Sequence, residues 1–169
     1  EYFTELAQED SREYFRPNCW PNTPDILPYH LQNAPLSMFR MRLLLAATLA
    51  ANYGIYGPAY ELAENRPRDA TSEEYLDSEK YEVKHWNRKR ADSLAPFIAK
   101  VNAIRNAHAA LQSDWSLAFH PTDNDQLLCY SKAAGGERIL VVVNLDHLQA
   151  QAGVVALDLA ARGPAGGAT

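Results

Sequence analysis

Two short stretches of this chain hold the side chains best suited to chemistry. The first is Arg16-Pro17-Asn18-Cys19-Trp20-Pro21-Asn22-Thr23-Pro24-Asp25, where an aspartate closes an Asn-x-x-Asp turn after an apolar and aromatic run. If that run is a strand, Asp25 stands just past its carboxyl end, where catalytic groups sit in (β/α) barrels. A carboxylate there accepts charge-assisted hydrogen bonds, which are stronger than neutral ones. The bland alternative is that Asp25 merely favours a helix N-terminus electrostatically. The second stretch is Asp77-Ser78-Glu79-Lys80-Tyr81-Glu82. Lys80 is a point charge suited to a phosphate. Tyr81 offers a ring face for stacking and a hydroxyl for one hydrogen bond. The competing reading is a solvated lysine among acids, with Tyr81 packed inward. Asn22, Tyr56, Tyr60 and Glu61 lie close to these stretches and are further candidates. Trp20 and Trp86 are either stacking platforms or core, and Arg16 either pairs with a buried carboxylate or lies on the surface.

The elements that must position these groups follow from periodicity and turn chemistry. Residues 2–6 read as the end of a helix, 11–13 as a polar break, and 14–19 as a strand shortened by Pro17 and Pro21, which cannot donate to a ladder. Thr23, Pro24 and Asp25 form a helix-start pattern of cap, first-turn proline and first-turn acid. Asn33 with Pro35 forms a second, opening a helix that runs to Asn52. That helix is apolar on three sides (Met38, Phe39, Met41, Leu43, Leu44, Leu45, Leu49), so it must be buried. Tyr53 to Tyr56 reads as the next strand, closed by Gly57-Pro58. Residues 64–90 are polar and poorly periodic, a connection long enough to suggest function or mobility. Ser93 caps an amphipathic helix carrying Leu94, Phe97, Ile98, Val101, Ile104, His108 and Leu111 on one face. From Trp115 the period changes. Residues 126–131 and 139–144 read as strands joined across Ala133-Ala134-Gly135-Gly136, and Val155, Leu157 and Leu159 as a third. The end, 163–169, reads as small and flexible.

Composition narrows the function class. The 169 residues suit one ordinary domain but fall short of the ~250 of a whole barrel. Sixteen basic against 21 acidic residues give a net charge of −5, which argues against a nucleic-acid partner. The basic run Lys84, Arg88, Lys89, Arg90 beside Trp86 reads as a solvated loop. Cys19 and Cys129 have neither metal-type spacing nor a disulfide framework, which fits a reducing, cytoplasmic setting. Arg42 and Thr48 interrupt the longest apolar run, so no membrane span is expected. The five histidines (30, 85, 108, 120, 147) form no zinc pattern. There is no glycine-rich phosphate loop, nucleophile elbow or dinucleotide fingerprint. His108, on the apolar face of its helix, reads as a satisfied or packing residue rather than a ligand. The chain opens on Glu1-Tyr2-Phe3 without a signal segment and reads as a cut through a longer one.

Three blocks in order carry a resemblance. They are Arg16 to Leu27, Tyr53-Gly54-Ile55-Tyr56-Gly57-Pro58-Ala59-Tyr60-Glu61-Leu62, and Glu73-Glu74-Tyr75-Leu76-Asp77-Ser78-Glu79-Lys80-Tyr81-Glu82. The chain resembles the α-amylase superfamily from its fourth conserved region onward. It looks most like the branch that transfers maltosyl units from maltose 1-phosphate onto α-1,4-glucans. The resemblance covers roughly residues 1–160. It implies a fold that is α/β then β: residues 1–112 would be the last strands and helices of a (β/α)8 barrel, and 113–169 the start of a C-terminal antiparallel β-sandwich. It implies that Asp25 is the third carboxylate, which holds sugar hydroxyls as an oxocarbenium-like transition state develops. It implies that Lys80 and Tyr81 touch the donor. The family's nucleophile and acid/base lie on earlier strands. Glu61, Glu64, Glu73, Glu74, Asp77, Glu79 and Glu82 sit in neither motif, so the chain alone should be inert. Gly57 to Glu61 is two residues longer than the superfamily's usual Gly-x-Glu ending. No cofactor or metal is implied. The implied partners are maltose 1-phosphate and an α-1,4-glucan, with a homodimer for the intact enzyme. Two alternatives stay open: an α-glucan hydrolase of the same superfamily, and a non-catalytic glycan-binding or association module.

Overall fold

In the computed structural model, which describes residues 1–157, helix α2 (Leu36–Leu49) is the element the rest packs around. Pro35 occupies its N-cap position, so the expected start at Asn33 and Pro35 holds. Asn33 itself adopts a left-handed conformation (φ 55°), which asparagine tolerates better than most residues. Being apolar nearly all round, α2 serves two cores. Phe39, Leu43 and Ala47 pack with Leu27, Leu31, Ala59, Tyr60, Tyr75, Leu94, Ile98 and Val101. Met41, Leu45 and Leu49 face Ala7, Leu117, Tyr130 and Val143. Each fully buried Leu or Phe contributes about 1.5–3 kcal/mol.

Strand β1 (Asn18–Cys19) and strand β2 (Asn52–Tyr53) flank α2 in sequence and pair in parallel, Asn18 with Asn52 and Cys19 with Tyr53. A parallel pair requires a crossover, and α2 is that crossover. Both strands are shorter than expected. Residues upstream of Pro17 curl into a 3-10 turn over Asp10–Glu13, and Phe15 N bonds back to Ser11 O at 2.8 Å. The helix expected from Thr23 does not form. Thr23 and Ile26 close a tight turn by exchanging backbone hydrogen bonds of 3.1 and 3.3 Å, with Thr23 Oγ1 also accepting from Ile26 N at 3.1 Å. Pro28 lies just beyond and disfavours helical backbone at Leu27.

Helix α1 (Tyr2–Gln8) precedes β1, and a short helix α3 (Gly57–Glu61) follows β2. The long connection 64–90 has no helix or strand of its own, although Pro67 and Tyr75 form a single antiparallel bridge. Helix α4 (Ala95–Ala107) returns against α2; its N-cap is Leu94, and Ser93 Oγ just ahead of it accepts from Ala95 N at 3.1 Å. His108 has the satisfied role expected of it. It lies at the C-cap, and its Nδ1 is 2.5 Å from Glu137 Oε1.

The remainder is a three-stranded antiparallel sheet in the order β3 (Ala118–His120), β4 (Leu127–Ala134), β5 (Glu137–Asn144). The β4–β5 hairpin turns at Gly135 and Gly136, both at positive φ (57° and 85°), as a two-residue hairpin loop demands. Of the third strand expected at 155–159, Val155 makes one bridge to Thr122, while Leu159 and the tail 163–169 lie outside the described residues. Among the described residues no helix is long and apolar enough to cross a membrane.

The sheet is tied to the last turn of α2 by buried polar groups. Tyr130 Oη lies 2.5 Å from Thr48 Oγ1, and Lys132 Nζ reaches Leu49 O at 3.4 Å. Arg105 of α4 donates to Ala47 O and, at 2.6 Å, to Ala51 O. Asp114 accepts from Ala51 N at 2.6 Å. The carbonyls that a helix C-terminus leaves unpaired are thereby satisfied by cations, which its dipole favours.

Candidate functional site

The loops leaving the carboxyl ends of β1 and β2 meet the long connection, and the candidate residues collect there. This is the edge of a parallel pair where α/β proteins place ligands. Trp20 leaves β1 with its indole flat against Gly54 at the end of β2. A Cβ on Gly54 would stand 2.5 Å from ring atoms of Trp20, so only glycine admits that contact. Trp20 is nonetheless 47% exposed.

Asn22 comes next and is buried. Its Oδ1 accepts from Tyr56 N at 2.9 Å, while Nδ2 donates to Tyr56 O at 3.3 Å and to Tyr75 Oη at 2.8 Å. Tyr56 follows β2, and Tyr75 belongs to the long connection. The two rings meet edge to face, 6.0 Å between centroids. Burial drives the Tyr75 hydroxyl up to about 12, a rise the hydrogen bond from Asn22 partly offsets.

The long connection is then stitched to the segment carrying Asp25. Leu27 N donates to Glu73 O at 2.6 Å, Tyr29 N to Glu73 Oε1 at 3.2 Å, and Gln32 Nε2 to Ser72 O at 2.9 Å. Within the connection, Arg68 N bonds Glu74 O and Leu76 N bonds Arg66 O, forming a small irregular hairpin. Asp77 sits at positive φ (53°), and buried Ser78 turns the chain, its carbonyl accepting from Tyr81 N and Glu82 N at 2.9 and 3.0 Å. Lys80 and Tyr81 are presented on that turn.

Asp25, Lys80 and Tyr81 are thereby brought together. Lys80 Nζ lies 5.5 Å from the Tyr81 ring centroid and 3.6 Å from Glu74 Oε1. The Tyr81 phenol, and after it the carboxylates of Asp25 and Glu74, hold the Lys80 ammonium above its ordinary range. Glu74 is fixed in turn by an ion pair with Arg68. Tyr81 is not packed inward: it is 66% exposed. With Asp25 and Lys80 also exposed, the site is an open surface offering one carboxylate, one ammonium and one phenol. It can hold a ligand carrying both an anion and hydroxyls.

The other candidates fall elsewhere. Tyr60 is a core residue, fully buried, with its hydroxyl donating to Phe39 O at 2.6 Å. The backbone carbonyl of Glu61 receives Leu94 N at 2.7 Å and so anchors the start of α4. Trp86 packs against the first core and donates its indole N–H to Glu79 Oε1 at 3.0 Å. Among the described residues Arg16 pairs with no carboxylate. It donates to Arg12 O and Phe15 O, and it lies over the Trp115 ring at 5.6 Å. Sequence reasoning missed Tyr75 and Glu73 as the residues that fold the long connection onto the site. Their one visible signal was an aromatic ring in an otherwise polar stretch.

Residues 119–169 match the family model described as "GLGE, C-terminal". The chain is 52% identical over 148 residues to the α-1,4-glucan:maltose-1-phosphate maltosyltransferase of Methylacidiphilum infernorum, covering 86% of this chain and 22% of that protein. It is 49% identical over 161 residues to the protein of the same name from Chlorobaculum tepidum, covering 90% of this chain and 24% of that one. Against maltosyltransferase 1 of Streptomyces coelicolor the identity is 46% over 163 residues, covering 94% and 24%. The chain thus spans between 22% and 24% of the length of these curated relatives.

Proposed function

Because the chain is, over most of its length, a homologue of part of the α-1,4-glucan:maltose-1-phosphate maltosyltransferases, we propose that it forms part of an enzyme moving maltosyl units from maltose 1-phosphate to the non-reducing end of an α-1,4-glucan. In this reading Asp25 binds sugar hydroxyls, Lys80 takes the phosphate and Tyr81 lies against the donor's sugar. The convergence of Asp25, Lys80 and Tyr81 beyond the carboxyl ends of β1 and β2 is the observation that carries it.

The chemistry follows from charge. Breaking the bond to phosphate builds positive character at the sugar carbon and negative charge on the departing group. An ammonium near the phosphate stabilises the second. A carboxylate bonded to the sugar hydroxyls becomes a better partner as the first develops, and a contact that strengthens in this way raises the rate. The reaction is retaining, through a nucleophile and an acid/base that no motif of this chain supplies, so the chain alone is inactive. Residues 1–112 form the last part of a (β/α) barrel and 113–169 the start of a β-sandwich. The parallel β1–α2–β2 unit and the antiparallel β4–β5 hairpin support that division.

The test uses a protein of the relatives' full length carrying this sequence, incubated with an α-1,4-glucan and inorganic phosphate. Reversal of the transfer releases maltose 1-phosphate, and Lys80→Ala should depress it strongly. Release of free maltose in its place would mean hydrolysis and would overturn the assignment.

A further inference from the structure

We propose that Asn22 is a positioning residue for the donor site, holding the Lys80-Tyr81 loop in register with Asp25 through Tyr56 and Tyr75. The proposal rests on the donor-site reading above. Asn22 is 2% exposed and its hydrogen bonds go to Tyr56 and Tyr75 rather than to Lys80 or Tyr81, so whatever it does for them it does through others.

Its bonds leave little freedom of residue type. Toward Tyr56 the carboxamide uses one acceptor and one donor, meeting a backbone N–H and C=O at 2.9 and 3.3 Å as a neighbouring strand would. The β1–β2 ladder stops at Cys19 and Tyr53, and the side chain continues it where the backbone has turned away. Its remaining N–H goes to Tyr75 Oη at 2.8 Å. An aspartate matches the shape but has no donors. A serine cannot offer two donors and an acceptor at once, and a glutamine is one methylene too long.

The three segments joined here are those that build the site. Asn22 is three residues before Asp25. Tyr56 ends the second strand's exit. Tyr75 is five residues before Lys80, separated from it by the Ser78 turn. The backbone ties from Leu27 to Glu73 and from Gln32 to Ser72 hold the outer part of the same seam. Asn22 and Tyr75 hold its buried part, where a lost hydrogen bond is not replaced by water. Freeing that part lets the Lys80 turn shift relative to Asp25 while both chemical groups remain intact.

Tyr75→Phe removes only the hydroxyl and keeps the ring, so it is the variant least able to unfold the protein. Asn22→Asp is the severe companion. In the full-length protein, Tyr75→Phe should raise KM for maltose 1-phosphate about three- to tenfold, the span of one hydrogen bond, with KM for the glucan acceptor unchanged. Asn22→Asp should shift the donor KM further in the same direction. A merely structural role would lower thermal stability and the active fraction, hence kcat, and leave the donor KM in place. That result in Tyr75→Phe overturns the proposal. Lys80→Ala separates the two claims. If it raises the donor KM while Tyr75→Phe does not, positioning by Asn22 fails and the donor-site reading stands. If Lys80→Ala itself leaves the donor KM unchanged, both fall.

Discussion

Replacing Lys132 by methionine should stabilise this chain near neutral pH. Lys132 is fully buried on β4, and among the described residues its ammonium finds one acceptor, Leu49 O, at 3.4 Å. Burial draws its pKa from 10.5 down to about 8; the carboxylate of Asp114 pulls the other way, and the guanidinium of Arg105 pushes it lower. At about 1.4 kcal/mol per unit, keeping this group charged in the fold costs about 3 kcal/mol. The sign follows from where the two pKa values lie. Below about 8 the lysine is protonated in both folded and unfolded chains, and the full cost opposes folding. Between about 8 and 10.5 the unfolded chain holds a proton that the folded chain has released, so this group's contribution to stability rises with pH. Methionine fills similar space without charge and gives up about 1 kcal/mol for the hydrogen bond to Leu49 O. The net gain near neutral pH is therefore about 1–3 kcal/mol, in line with exchanges of other buried charges for apolar residues. Urea unfolding of both proteins in parallel, from about pH 7 to about pH 10, measures the difference with other titrations largely cancelled. The advantage of Lys132→Met should shrink across that range. A variant less stable than its parent near neutral pH, or a gap that does not change with pH, would refute the reasoning.

Four further substitutions probe the frame around the site. Gly54→Ala places a methyl 2.5 Å from the Trp20 ring and should cost about 1–3 kcal/mol as the ring is displaced, read as a lower urea midpoint and altered tryptophan fluorescence. Ala63→Gly relieves a left-handed backbone (φ 49°) just after α3 and should raise stability by up to about 1 kcal/mol; a fall in Tm would contradict it. Thr48→Val breaks the buried contact with Tyr130 Oη and should cost about 1–3 kcal/mol. Adding Tyr130→Phe should cost less than the sum of the single changes, since the pair shares one bond.

What could be read in the sequence were features fixed by local pattern. α2 and α4 announce themselves by a long apolar run and by a clean helical stripe behind Ser93, and the glycine pair marks the β4–β5 turn. The kinship was legible from the blocks around Asp25, Gly54 and Lys80. Features set by distant partners were not. Thr23-Pro24-Asp25 has every local mark of a helix start. The residues after it instead spend their backbone donors on Glu73, more than forty positions away. Strand β3 is three residues long and exists because β4 lies beside it. Asn22 was visible only as a polar residue near an aspartate, because its role depends on Tyr75, within a stretch that carries no periodic signal. Lys132 stands in a strand with polar Ser131 beside it, and nothing in that stretch marks both as buried, as Cys129 to Lys132 all are.

The burial of Lys132 nevertheless has a structural logic, which lies in register. Tyr130 and Lys132 are two apart on β4 and so share a face of the sheet. They meet consecutive residues, Thr48 and Leu49, at the last turn of α2. Between them Ser131 points to the other face and bonds His120 Nε2 at 2.8 Å. A slip of one residue would turn Tyr130 and Lys132 away from the helix end and bring Cys129 and Ser131 to it. The carbonyl of Leu49 would then lose its cation, and Thr48 would lose its partner. An apolar interface would penalise that slip far less, because Leu, Val and Met can exchange places at small cost. The charge at Lys132 thus trades stability for a single arrangement of the sheet on α2. That helix also sets the spacing of β1 and β2, and through them the placement of the Asp25 and Lys80 loops. Lys132→Met should therefore be the more stable protein and the less uniquely docked one, visible as broader sheet resonances alongside a higher unfolding midpoint.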